Sequence, residues 1–261
     1  MTSPADTHIE PRRPGAVAWL RLTQAEARMT VRDTAGLVVP LGLPLLILVM
    51  QAISFDDVNQ QLPSGVTVLS YYLLPVVVTL VIATIAVINM PSFLAMYRKT
   101  KVLRRLAVTP ASPAMLLVAQ MVVSFIQVLV GIGVAYGVAV LFFGASLPQS
   151  PLTAAAVLLA ACAAMYGVGM IVASVSPTPN SAVAIGLIAF FGLAALGGMF
   201  GPVENLPDSL QQVAGWLPFA SAVEAFQHAW VAEAVPAQNW TVLVLSAVVG
   251  AAVAAALFRW E

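Results

Sequence analysis

Six stretches of this chain, residues 35 to 54, 68 to 96, 114 to 143, 151 to 175, 181 to 200 and 239 to 258, run for about 20 residues or more almost without charge. At about 1.5 Å of rise per residue, a helix of that length crosses a hydrocarbon core of about 30 Å. The stretches therefore predict an all-α membrane protein of six transmembrane helices. Only 8% of the residues are charged, against roughly 25% in an ordinary soluble domain. Six spans with short loops consume nearly all of the 261 residues and leave no room for a soluble catalytic domain of roughly 100 residues.

The few basic residues are unevenly placed. Five of the 11 Lys and Arg residues fall within Arg98-Lys99-Thr100-Lys101-Val102-Leu103-Arg104-Arg105, and none lies between there and Arg259. Cytoplasmic loops collect Lys and Arg while exported loops do not, so this window is expected inside. Alternation then puts both termini in the cytoplasm of a multi-pass cell (plasma or inner) membrane protein. The acids Asp56 and Asp57, and later Glu204, Asp208, Glu224 and Glu233, fall in outside loops that hold no basic residue. The turn from Ser176 to Ser181 also lacks basic residues, so only counting places it inside.

Residues 1 to 14 carry Pro4, Pro11 and Pro14 and no apolar face, so a disordered cytoplasmic tail is expected, with His8 solvated. No short apolar region with a small-residue cleavage site precedes the first span, and no signal peptide is expected. Residues 16 to 32 show a helical period, with Arg21, Gln24, Arg28 and Arg32 on one side and Ala18, Trp19, Leu22, Ala25 and Met29 on the other. This predicts an interfacial helix lying flat on the membrane, Trp19 at the boundary and Arg21, Arg28 and Arg32 toward anionic head groups. An ordinary soluble amphipathic helix is the alternative.

Pro40 and Pro44, with Gly36 and Gly42, should kink the first span, and neighbours must re-satisfy the carbonyls that proline frees. Between spans five and six, Pro207-Asp208-Ser209 opens a short helical pattern that stops near Trp216-Leu217-Pro218. A second runs from Ser221 to Ala234, with Phe226 and Trp230 four apart. Too apolar for open water and too short to cross, the two predict a re-entrant helical hairpin dipping into the outer leaflet and packed between other spans.

Enzyme chemistry is argued against by missing motifs. There is no G-x-x-x-x-G-K-[ST] loop, no H-E-x-x-H, no G-x-S-x-G elbow and no Cys/His metal spacing. Cys162, alone, allows neither an intrachain disulfide nor a thiolate cluster. No catalytic residue, bound cofactor, metal or nucleic-acid partner is expected, and His228 reads as a structural hydrogen-bonding residue. Asn239-Trp240-Thr241 fits the glycosylation pattern but adjoins a span, as a chance match would. Gly133 with Gly137, and Gly197 with Gly201, are four apart in apolar runs and predict close helix approach.

The run from Tyr97 to Ser112, a basic stretch leading into Leu106-Ala107-Val108-Thr109-Pro110-Ala111-Ser112, resembles the cytoplasmic segment of ABC-2 type permeases before their third span. In the second half, Gly198-Met199-Phe200, Leu206-Pro207, Leu210-Gln211, Trp216-Leu217-Pro218 and Ala222-Val223-Glu224-Ala225 resemble the same family's signature between spans five and six. The likeness runs over residues 15 to 261 and is nearest the daunorubicin-resistance type of drug-export permease. Thr100 stands where many members carry Gly, and Gln227-His228 where many carry Arg.

The resemblance implies the membrane subunit of an ATP-driven exporter. Two six-span subunits, a second copy or a paralogue, would face each other in lipid, and separate ATPase subunits would bind ATP and Mg. Val102, Leu103 and Leu106 would dock apolar surface on the ATPase, with Arg98, Lys101, Arg104 and Arg105 setting register at the rim. Glu204, Asp208, Glu224 and Glu233 become outer-gate candidates within the Leu206-Pro207 hairpin. Glu224, inside an apolar helix and so expected to be buried and in need of a partner, either serves the gate or bonds the hairpin to span five. Hydrophobic drug, lipid, polyketide and glycan precursor all fit as substrate. The rival readings are an ATP-independent transporter or channel and a membrane scaffold; the first is disfavoured because no span carries an ionisable residue at mid-membrane.

Overall fold

The computed structural model describes residues 15–54, 57–101 and 113–257. Nine helices follow one another there: α1 (Ala16–Arg32), α2 (Thr34–Ser54), α3 (Leu69–Lys99), α4 (Pro113–Phe143), α5 (Pro151–Val175), α6 (Pro179–Leu196), α7 (Asp208–Ala214), α8 (Pro218–Trp230) and α9 (Ala237–Leu257). Among the described residues the only β-pairing is an isolated antiparallel bridge between Gln61 and Thr67. Six helices, α2, α3, α4, α5, α6 and α9, are long and apolar enough to cross a membrane. The chain is a multi-pass membrane protein.

Proline opens α4, α5, α6 and α8, where its missing N–H costs nothing and its fixed φ suits the first helical turn. At α6 the start is sealed by a capping box in which Thr178 Oγ1 accepts from Ser181 N at 3.1 Å and Ser181 Oγ from Thr178 N at 3.0 Å. The fifth span was expected to reach residue 200 and stops at Leu196 instead. Gly198, at φ +96°, turns the chain left-handed, and Met199 N reaches back to Ala194 O at 2.9 Å, a glycine C-cap that hydropathy alone does not register.

The helix that is apolar all round becomes the central post. Of the most apolar 18 residues of α3, 94% are buried, against 28% of those in α2 and in α9 and 22% of those in α6. Helices α2, α4, α5, α6 and α8 pack around it, and α9 lies outside along α5 and α8.

Both prolines of α2 deprive a carbonyl four residues earlier of its donor, Pro40 that of Gly36 and Pro44 that of Pro40. Neighbouring helices supply replacements. Gly36 O accepts from Asn89 Nδ2 at 3.0 Å and from Gln127 Nε2 at 2.8 Å, while Pro40 O lies 3.4 Å from the Thr84 hydroxyl. The need was legible in the sequence; α3 and α4 meet it.

Within α3 the segment Thr84–Asn89 is wound as a π-helix, and Pro91 cannot donate to either Ala86 O or Val87 O. Glycines let two neighbours close onto those carbonyls. A Cβ on Gly169 of α5 would lie 1.9 Å from Ala86 O, and one on Gly186 of α6 would meet Val87 O at 2.6 Å, so the Cα hydrogens occupy those directions. Gly167 and Gly250 likewise mark the crossing of α5 and α9, backbone against backbone.

The glycines expected to play this part do so only once. Gly133 and Gly137 have no atom within 4 Å of a would-be Cβ, because their face of α4 points out of the bundle. Gly197 sits under the Phe219 ring, whereas Gly201, at φ +145°, is open and serves a turn.

Successive spans run in opposite directions, so the bundle has two chemically distinct ends. One gathers α1, the end of α3 and the start of α2, with Arg21, Arg28, Arg32, Arg98, Lys99 and Lys101. The other gathers α7, α8 and the segments 57–68 and 144–150; it holds Asp57, Glu204, Asp208, Glu224 and Glu233 and, among the described residues, no Lys or Arg. There Ser146 N bonds Ser70 Oγ at 2.9 Å, Trp230 Nε1 bonds Ser146 O at 3.3 Å, and Gln51 Nε2 bonds Met199 O at 2.6 Å.

Candidate functional site

At the acidic end a cavity of about 230 Å³ opens between α2, α3 and the short helices α7 and α8. The positive φ values at Gly198 and Gly201 swing the chain from α6 around its rim. Gln211 Nε2 then donates to Leu206 O at 2.7 Å and Glu204 O at 3.1 Å, folding the 3-10 turn Val203–Asn205 back onto α7. Gln51, Tyr72, Glu204, Gln211, Glu224 and Gln227 line the cavity among apolar and glycine walls. Its charged groups are both carboxylates, which favours cations and hydrogen-bond donors over anions.

Helix α8 is too short to cross and is buried on every side but one. It fills the space between α3, α5, α6 and α9, and its Phe226 and Trp230, four apart, meet edge to face with ring centroids 6.3 Å apart. Glu224, expected to be buried because its neighbours are apolar, is the exposed residue of α8 and faces the cavity. Helical periodicity explains this, since the flanking apolar side chains point elsewhere. Of the other sequence candidates, Glu204 joins Glu224 in the cavity; Leu206 does not line it but holds Gln211 through its carbonyl, and Pro207 precedes α7 at the surface. Asp208 and Glu233 lie outside, with Glu233 3.3 Å from His228 Nδ1.

At the basic end, the Arg98 guanidinium donates to Ser176 O at 2.7 Å and also to Ala173 O, covering carbonyls at the C-terminus of α5 where a helix dipole favours positive charge. Arg98 and Lys99 form the last turn of α3, and exposed Lys101 ends it at φ +57°. The expected coupling residues Val102, Leu103, Arg104, Arg105 and Leu106 lie outside the described residues. Arg21, Arg28 and Arg32 are exposed along α1, and Trp19 is 38% exposed.

Over residues 17–230, from α1 to the end of α8, the chain matches the family model described as ABC-2 type transporter. It belongs to the ABC-2 type transporter family. It is a permease of an ABC-type transporter, and the two-ended bundle described above is its membrane domain. No curated protein matches the chain.

Sequence periodicity missed one residue of this permease that matters at the basic end. The buried face of α1 centres on Glu26 and Thr30, with Met29 and Ala25 exposed, so the helix is rotated from the expected orientation. The Tyr97 hydroxyl of α3 donates to Glu26 Oε2, and Gln120 Oε1 of α4 lies 3.5 Å from the same hydroxyl. Three helices thus meet at one polar contact. A single carboxylate on a helix with three arginines reads as surface in sequence; only the tyrosine opposite it, a long way along the chain, makes burial tolerable.

Burial raises the Glu26 carboxyl above its ordinary value of 4.5, with the Tyr97 hydrogen bond opposing. The folded chain therefore keeps a proton that the undocked helix releases above about pH 4.5, and docking of α1 is strongest below that pH and weakens as pH rises. Hydrogen exchange of the α1 amides, corrected for intrinsic rate, should show protection falling with pH across this range. Glu26→Gln should flatten the slope while keeping the Tyr97 contact.

Proposed function

We propose that this permease is the membrane half of an ATP-driven exporter, with ATP and Mg held by separate nucleotide-binding subunits against its basic end. The observation that carries this reading is the segregation of charge: every described Lys and Arg sits at one end of six antiparallel spans and five acids at the other. By the rule that cytoplasmic loops are the basic ones, α1 and both termini face the cytoplasm of the cell membrane. Along α1, exposed Val17, Leu20 and Val31 run beside Arg21, Arg28 and Arg32, the side-by-side apolar and basic strips that suit a helix lying in the head-group region. The α7–α8 pair would sit in the outer leaflet as a re-entrant hairpin.

Two permease copies, or this chain and a paralogue, form the transport unit, and ATP binding favours one of two packings of the pair. A hydrophobic or amphipathic compound would pass between them and leave past the Glu204 and Glu224 carboxylates. The segment after α3 is the coupling element. Arg98 already clamps α3 to the end of α5, so a push on that segment would reach two spans at once.

Co-expression with a nucleotide-binding subunit tests the assignment. The double substitution Val102→Asp, Leu106→Asp should abolish co-purification and transport-linked ATP hydrolysis while the permease elutes and melts as the wild type does. Coupling that survives both changes removes the docking role.

A further inference from the structure

A second cavity, of about 190 Å³, lies at the basic end between α2 and α6 with α3 as its floor. Its walls are Val39, Pro40, Ile88 and Val183, and Val39 and Val183 are 47% and 37% exposed, so it opens sideways from the bundle. Among the described residues Asp33 is the one charged residue lining it; Arg32 is exposed and does not line it.

Two oxygens at its polar end are unspent. Asp33 caps α2 with Oδ1, accepting from Gly36 N at 3.1 Å, which leaves Oδ2 over. Asn89 must present its Nδ2 to the Gly36 carbonyl that Pro40 frees, so Oδ1 turns away, and among the described residues no donor reaches it. Both oxygens lie beside Gly36 and so within about 5.7 Å of each other: a Cβ there would meet Asp33 Oδ2 at 2.6 Å and Asn89 Oδ1 at 3.1 Å. A single N–H-rich group can bridge two oxygens up to roughly 5.6 Å apart. A carboxylate and an amide oxygen left open at the mouth of an apolar groove match a cation carrying several N–H donors.

We propose that this groove binds the ammonium group of an amphipathic primary amine, the cation bridging Asp33 Oδ2 and Asn89 Oδ1 and the apolar body lying along Val39, Ile88 and Val183. The glycine at 36 is then part of the site, because a side chain there would press on both oxygens and turn them away from the cation. The site stands at the start of the first span, where an amine partitioned in the membrane surface can slide in between α2 and α6. It deepens the exporter reading by naming a substrate class. The same chemistry is available from a free amphiphile or from an aminophospholipid head group.

Binding of a dansyl-labelled primary alkylamine to the purified permease in phosphatidylcholine nanodiscs tests this, with the N-acetylated compound as a neutral control of equal apolar size. The wild type should prefer the amine by roughly tenfold. Asp33→Asn keeps a good cap for α2, so the helix folds, but places an amide N–H where the cation needs an acceptor, and the preference should vanish. Gly36→Ala should weaken the amine by a similar factor. If added phosphatidylethanolamine displaces the probe, the site takes the lipid head group; if it does not and the preference remains, the free amphiphile is the ligand. Equal affinity of amine and acetyl compound in the wild type, or an undiminished preference in Asp33→Asn, overturns the proposal. Neither nucleotide nor ATPase enters the assay, so its failure leaves the exporter reading standing, and loss of ATP coupling would leave this site standing.

Discussion

Replacing Gly169 with Val should cost this permease at least about 3 kcal/mol and leave little folded material after extraction, because the new Cβ would come within 1.9 Å of Ala86 O. The conflict is with backbone, not with the flexible end of a side chain. Ala86 lies in the π-wound part of α3, fully buried and enclosed on several sides, so it has nowhere to retreat. The same substitution at Gly133 puts its Cβ on an exposed face of α4, with no atom within 4 Å. It should change stability by no more than about 0.5 kcal/mol, or improve it through helix propensity. Thermal unfolding of the two variants in one detergent measures the contrast, and a Gly169→Val chain as stable as Gly133→Val would mean that α5 and α3 do not approach in this way.

Removing both amides that serve Gly36 O, by Asn89→Leu with Gln127→Leu, should destabilise the bundle by about 2–4 kcal/mol, since a carbonyl freed by proline would be left without a donor in apolar surroundings. The cause can be separated from lost packing. Pro40→Ala restores an N–H four residues after Gly36, so it should recover about half or more of the loss in the doubly substituted chain and gain much less in the wild type. Unfolding free energies of the four combinations give the coupling; additive effects would show that the amides matter for some reason other than the proline.

These two cases show where legibility stops. Six charge-free stretches were enough to name six crossing helices, because lipid offers backbone groups no alternative to helix formation. Pro40 and Pro44 announce a need for hydrogen bonds without naming the partners; Asn89 and Gln127, two amides in otherwise apolar spans, are the signal of them in the sequence. The charge at each end was equally plain from the chain, and so were the two short helices of the acidic end, including the Phe226 and Trp230 pair.

Which side of a helix faces what was another matter. Glycines four apart mark one stripe, yet the stripe holding Gly133 and Gly137 looks outward while Gly167, Gly169, Gly186 and Gly250 carry the close crossings. Glu224, flanked by apolar residues that suggest burial, is exposed; Glu26, on a basic helix that suggests a surface position, is 4% exposed. The sequence by itself determined the number of spans, the charge of each end and the family, since each depends on local composition acting against a uniform solvent. The rotation of each helix, the donors that answer the prolines and the convergence of Asp33 and Asn89 on Gly36 were decided only in the tertiary structure. In a bundle apolar on nearly every face, it is shape and hydrogen bonding between distant segments, not hydrophobic patterning, that select the neighbour.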